Sequence, residues 1–117
     1  SGHTLYFSTV ASGTTYYGEF IETTFPFRLK PTKFYMDGIM GQGNWIPKQM
    51  VLCGSNDDGA TYEYIATIGD AINSPASYDI AITSPDSYKK IKVICIRSTG
   101  RATFFLQFYK LYGDIYA

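Results

Sequence analysis

Asp57 and Asp58 stand side by side in front of Gly59, inside the stretch NWIPKQMVLCGSNDDGATYEYI that runs from Asn44 to Ile65. Three kinds of chemistry fit such a group. An EF-hand calcium loop needs oxygen ligands at alternate positions before its Gly and a Glu six residues after it. Counting back from Gly59 puts Gly54 at the first ligand position, and counting forward puts Ile65 at the last, so that motif fails at both ends. A catalytic acid pair needs two carboxylates facing each other across a cleft with their pKa values pushed apart. Neighbours on an exposed Gly turn are instead both ionised and solvated. The third reading is a turn, because Asn and Asp bond their own backbone and Gly supplies positive φ. The turn is the reading adopted here.

The remaining reactive side chains are few. Cys53 and Cys95 lie in the apolar runs MVLCGS and KVICIRS and read as two buried thiols. A disulfide between them requires the two runs to be neighbours, which spacing does not show. One His and two Cys do not make a zinc site of usual composition. The same single residue, His3, leaves no Ser-His-acid set to assemble. Glu19 and Asp37 are generic candidates for a glycosidase pair and nothing more, so catalysis ranks last among the functions considered.

The elements that position these residues read as strands. Gly and Pro punctuate the chain at short intervals, and between them β-branched and aromatic runs dominate, without helical periodicity. Strands are predicted at 5–9, 18–24, 32–38, 48–54, 62–67, 77–83, 89–97 and 103–113. Tyr78, Ile80 and Ile82 share one face of their run. The 89–97 run turns apolar on both faces in its second half, as a strand in the middle of a sandwich does. Lys89, Lys90 and Lys92 read as a solvated strand face, and Met36, Met40 and Met50 as core fillers. About eight strands without a helix make an all-β sandwich of mainly antiparallel strands. Its 117 residues suit one domain spanning 1–117, and a start at Ser1-Gly2-His3 without Met reads as a piece of a longer protein. Ten basic residues balance ten acidic ones, so no net charge draws the chain to nucleic acid or an anionic membrane. No run approaches the roughly 18 apolar residues of a membrane span.

The spacing around the turn carries more information. Pro47, Leu52, Gly54-Ser55-Asn56-Asp57, Gly59, Tyr62 and Ile65 resemble the "P-x-x-(W/Y)-x-(L/I)-x-GS-N-DG-x-x-W-x-x-L" pattern of discoidin-like domains, also called coagulation factor five/eight type C domains, and of family 32 carbohydrate-binding modules. Gly18-Glu19-Phe20-Ile21-Glu22 followed by Phe25-Pro26 resembles their "GEWIEIxLP" strand. Leu29 to Met36 resembles "I-x-L-x-x-Y-x-I", Tyr88 to Val93 resembles "Y-R-Y-I-R-V", and Phe105 to Gly113 resembles "I-x-E-L-x-L-Y-G". The ordered set covers about residues 16 to 113. It implies a galactose-binding-like jelly roll. The departures are Tyr62 where the family has Trp, a lengthened turn, and a late start where the family often holds a structural calcium. No cofactor is expected, and a structural calcium has no motif to support it. The disulfide that ties the termini of the clotting-factor members has no counterpart.

In that fold, ligand loops cluster at one end of the sandwich, and the resemblance maps three of them to 10–17, 38–46 and 97–102. They offer Tyr16 and Tyr17, then Gln42, Asn44 and Trp45, then Arg97 and Arg101. Sugar binding needs a flat aromatic face for the apolar side of the ring and planar groups that bond vicinal hydroxyls in pairs. Both ingredients are present. Trp45 also suits packing under the sandwich end, and the two arginines also suit exposed turns. If Tyr16 and Tyr17 occupy a strand, only one of them can be buried.

The function implied is a non-catalytic, lectin-like module for cell-surface or polysaccharide glycans, such as the receptor-binding tip of a phage or virus fibre, where many weak sites add avidity. The alternative is a structural module, a trimeric fibre knob or capsid appendage that binds no sugar. Membrane insertion ranks below glycan binding, because only Ile39, Met40 and Trp45 could act as apolar spikes and few cations surround them. Two strand thiols without a disulfide framework fit a virion or cytosol-assembled protein better than a conventional secreted one, and the expected location is a virion surface or the cell exterior.

Overall fold

The computed structural model describes residues 8–37, 47–69, 77–98 and 109–117. Eight strands follow one another: β1 (Ser8–Ala11), β2 (Thr14–Tyr17), β3 (Phe20–Asp37), β4 (Pro47–Ser55), β5 (Glu63–Gly69), β6 (Ser77–Ala81), β7 (Tyr88–Ser98) and β8 (Tyr109–Tyr116). All pairings between them are antiparallel. The all-β sandwich expected from the sequence is what forms.

β3 differs from expectation. The runs 18–24 and 32–38, read as two strands, are one strand of 18 residues despite Pro26 and Pro31. Proline has no N–H to give a ladder and is confined to edges and bulges. Both prolines sit where the ladder is broken. The register with β7 shifts between Thr24 and Leu29, and the register with β8 shifts between Pro31 and Lys33. Through these breaks β3 changes partners. Its first part pairs with β7, which continues to β4 and β5. Its second part lies between β6 and β8. One bent strand thus serves both layers.

The main core fills the space between the layers. Phe34, Met36, Tyr78 and Ile82 come from the β3–β6 side, and Met50, Leu52, Ile68 and Val93 from the β4–β5–β7 side. Met36 and Met50 are the core fillers expected, whereas Met40 lies outside the described residues. Tyr78 and Ile82 are buried as their alternation requires, but Ile80, on an edge strand, stays partly exposed.

A second, smaller core explains why β7 is apolar on both faces. The chain segment 10–17, expected as a loop, is mostly the hairpin β1–β2, with Ser8 opposite Tyr17 and Ala11 opposite Thr14. The hairpin covers the outer face of the β4–β7 sheet. Ala11, Cys53 and Ile94 are buried beneath it, with Tyr16, Phe20, Tyr62, Tyr64 and Ile96 packed around them.

Gly54 shows how tightly the motif is built. A Cβ there would stand 2.3 Å from Cγ of the Tyr88 ring, which is itself fully buried. The Gly of the "GS-N-DG" segment and the Tyr of the β7 segment therefore form one contact. Burial raises the Tyr88 hydroxyl's pKa, helped by the hydrogen bond it donates to Glu63 Oε1 at 2.6 Å.

Candidate functional site

The Asp57 turn is scaffold. Its carboxylate accepts from the Ser55 hydroxyl at 2.6 Å, from the Thr61 hydroxyl at 2.5 Å and from the Thr61 N–H at 2.9 Å. These bonds, the Ser55 hydroxyl first, hold the Asp57 pKa at about 2. Asn56 bridges to the next strand connection, donating to the Ser87 carbonyl at 2.8 Å and accepting from the Lys89 N–H at 2.9 Å. Asp58 and Gly59 take the left-handed conformation, with φ of 59° and 87°. A carboxylate committed to three local donors has little left for a metal. Among the described residues, no group of three or more His, Cys, Asp or Glu is placed to hold a metal ion.

The opposite end of the sandwich gathers the connections. Pro47 at the start of β4 pairs with Ser98 at the end of β7, and Gln49 pairs with Gly69 at the end of β5. In the other layer, Met36 near the end of β3 pairs with Tyr78 near the start of β6 and with Tyr109 at the start of β8. The connections 38–46, 70–76 and 99–108 therefore all leave strand ends that lie in register at one end of their sheets. The seven residues of 70–76 span at most roughly 25 Å, which keeps the two sets of ends together.

The expected ligand residues fall on this frame as follows. Gln42, Asn44, Trp45 and Arg101 lie outside the described residues. Arg97 lies on β7, opposite Gln49, one residue before the strand ends at Ser98. Tyr16 and Tyr17 occupy β2 and face opposite ways. Tyr16 is half-buried and stacks on Tyr64, with ring centroids 6.4 Å apart and planes at 20°. Tyr17 is 61% exposed. The base of the hairpin meets β7 close to Arg97: the Cys95 N–H donates to the Glu19 carbonyl at 2.8 Å. The fold thus brings Tyr17 and Arg97 to neighbouring stretches of backbone. Tyr16 serves the packing of the hairpin.

Lys92 corrects the sequence reading. It is not part of a solvated lysine face; it is 7% exposed. It points, with Ile94, at the underside of the hairpin. Its ammonium donates to Thr9 Oγ1 at 3.1 Å and lies 4.0 Å from Glu22 Oε2. It also sits over two rings, 4.0 Å from the Phe20 centroid and 4.4 Å from that of Tyr62. The Tyr62 hydroxyl donates to the same Glu22 carboxylate, and burial followed by that bond raises its pKa. The clue available in sequence was parity: Lys92 shares a face with Ile94 and Ile96. Lys90 lies on the same face one pleat earlier but reaches the turn, 3.4 Å from Asp58 Oδ1.

Cys53 and Cys95 are not joined in a disulfide, and both are buried. Cys53 pairs with Lys92 and Cys95 with Met50, so the two are not cross-strand partners. Burial pushes the Cys53 pKa up to about 12, against the opposing charge of Lys92.

A mixed groove of about 320 Å³ lies at the turn end, between Phe25, Asp58 and Lys90. Its Asn56 and Asp57 side chains are already bonded, Asn56 to Ser87 and Lys89 and Asp57 within the turn.

Neither family models nor curated proteins match this chain. Solved structures do. The family 32 carbohydrate-binding module of Streptococcus pneumoniae EndoD superposes with a TM-score of 0.62 at 15% identity, covering 81% of this chain and 69% of that one. The C-terminal domain of a chitobiase from Bacteroides fragilis superposes equally well, with a TM-score of 0.62 at 18% identity, over 84% of this chain and 64% of that domain. This chain therefore spans somewhat less than two thirds of the chitobiase domain. The chain thus has the β-sandwich fold of these structures, discoidin-like and galactose-binding-like.

Proposed function

We propose that this domain is a non-catalytic carbohydrate-binding module whose site lies at the end of the sandwich where 38–46, 70–76 and 99–108 emerge. The observation that carries the reading is that confluence of connections on a fold shared with a family 32 carbohydrate-binding module. Two of the connections carry Gln42, Asn44, Trp45 and Arg101 in sequence, Arg97 lies on β7 just before one of them, and Tyr17 lies on β2. An aromatic face covers the apolar side of a sugar ring, while amide and guanidinium groups grip adjacent hydroxyls in pairs. Such sites are shallow and bind weakly, so display in several copies raises the effective affinity. That economy suits the receptor-binding tip of a virus or phage fibre, and the glycan would belong to a host surface or a polysaccharide.

The non-catalytic part rests on chemistry. Glu22 and Glu63 are tied to tyrosine hydroxyls, and Asp57 to its turn.

A glycan array probed with a multimeric display of the domain, with and without calcium, tests the reading. Binding to a defined glycan that is lost in Trp45→Ala or Arg101→Ala is expected. Binding that survives both substitutions places the site elsewhere, and no binding to any glycan refutes the proposal.

A further inference from the structure

Among the described residues, β8 pairs with β3 alone, along Arg28–Met36. Its other edge is a row of backbone donors and acceptors of the kind that invites another strand. Proteins usually blunt such an edge, yet β8 concentrates apolar surface. Tyr112 is 44%, Ile115 64% and Tyr116 44% exposed, three of the seven large hydrophobic side chains exposed among the described residues.

The charges on β8 are symmetric about Tyr112. Lys110 stands two residues before it and Asp114 two residues after it, and all three share one face of the strand. A second β8 laid antiparallel with Tyr112 opposite itself puts each Lys110 against the other copy's Asp114. The opposite face then sets Tyr109 against Ile115, and Leu111 against Gly113. A shift of one residue sets Lys110 against Ile115, and a shift of two sets it against Tyr116. Only the register centred on Tyr112 matches the charges.

The backbone agrees with that centre. The Tyr112 carbonyl accepts from Thr32 Oγ1 at 3.3 Å, so it faces β3. The peptide groups of Leu111 and Gly113 then face the open edge. They form the bonded pairs, and the two Tyr112 residues form the non-bonded pair, in which side chains approach most closely. Lys33 already lies over the Tyr112 ring, 4.9 Å from its centroid, and orients it on that face.

We infer that the open edge of β8 is a dimerisation edge, which takes a second copy of this chain as an antiparallel, two-fold-related strand with Lys110 facing Asp114 twice. A two-fold contact is self-complementary and closes after two copies. This predicts a dimer, whereas the alternative sequence reading, a fibre knob, has a trimer. The inference does not rest on sugar binding, although a dimer would carry two glycan sites.

Sedimentation equilibrium of the whole chain tests it, with wild type, Lys110→Asp, Asp114→Lys and the double exchange compared. Both side chains are exposed, so the folds are expected to match by circular dichroism. The wild type should dimerise. Each single reversal turns two attractive cross-strand pairs into repulsive ones and should weaken the dimer about tenfold. The double exchange should restore it to within about threefold of wild type. A wild-type monomer, a trimer, single reversals without effect, or a double exchange that fails to restore the dimer would each overturn the inference.

Discussion

Gly54→Ala tests the contact that locks β4 to the Tyr88 ring. The added Cβ would stand 2.3, 2.5 and 2.7 Å from three atoms of the Tyr88 ring. Carbon atoms sit comfortably at roughly 3.5–4.0 Å, so ring or strand must move by more than about 1 Å. Neither is free to do so. The ring is fully buried, its hydroxyl is bonded to Glu63, and Gly54 is paired on both sides, to Glu63 and to Ile91. Overpacking of this kind costs about 1–3 kcal/mol, and two restraints place this case near 3. Lower entropy of the unfolded chain returns up to about 1 kcal/mol. The net loss is about 2 kcal/mol, or about 8 °C in Tm for a domain of this size. Urea unfolding of the variant, alone and in a Tyr88→Ala background, reads the effect. Without the ring, the same substitution should cost less than about 0.5 kcal/mol or should stabilise by filling space. A Gly54→Ala protein as stable as wild type, or an equal loss with and without the ring, would refute the reasoning.

Three further outcomes follow from the same geometry. The Asp57 carboxyl titrates near 2 in the folded protein against an ordinary value of 3.8. Because the folded value is depressed, its contribution is present above the ordinary value and is lost as pH falls toward about 2. Asp57→Asn should therefore differ most from wild type above pH 4, with the gap closing toward pH 2 in acid unfolding curves, and a gap independent of pH would contradict this. Cys53 and Cys95 should resist a thiol reagent at pH 8 in the native state, since the thiolate is the reactive form and burial holds Cys53 at about 12. Both should react in denaturant, and rapid native labelling of Cys53 would show that the hairpin does not cover it. Lys92→Ala removes the hydrogen bond to Thr9 and the contacts with the Phe20 and Tyr62 rings, at a cost of about 2–3 kcal/mol. Hydrogen exchange should quicken selectively in β1 and β2, and uniform quickening across β4 and β7 would argue against a local clasp.

Much of the fold was readable because its rules are local. The apolar runs of β4, β5 and β7 alternate or saturate as their burial demands, and Asn56, Asp57 and Gly59 announce a turn by their own hydrogen-bonding chemistry. What was not readable depended on partners distant in sequence. Pro26 and Pro31 look like strand breaks until β3 is seen to exchange β7 for β6 and β8 around them. Lys92 looks like a solvent charge until the hairpin 8–17, of which 10–17 was read as a loop, closes over it. The candidate site divides in the same way. Tyr16 was separable from Tyr17 by strand parity alone, whereas the approach of the backbone beyond Tyr17 to that of β7 before Arg97 shows only in the hydrogen bond between Cys95 and Glu19. Gln42, Asn44, Trp45 and Arg101 owe their place among the candidates to residue type and motif.

The central claim is that sugars bind at the end of the sandwich where the three connections leave. The most direct measurement is a titration of the isotopically labelled chain with simple hexoses and short oligosaccharides, followed through its backbone amide resonances. Saturable shifts at Tyr17, Arg97, Ser98 and the residues of 38–46 and 99–108, with Asn56 to Thr61 unmoved, are predicted. Shifts centred on the Asp57 turn and its groove, or no saturable shift with any sugar, would contradict the account.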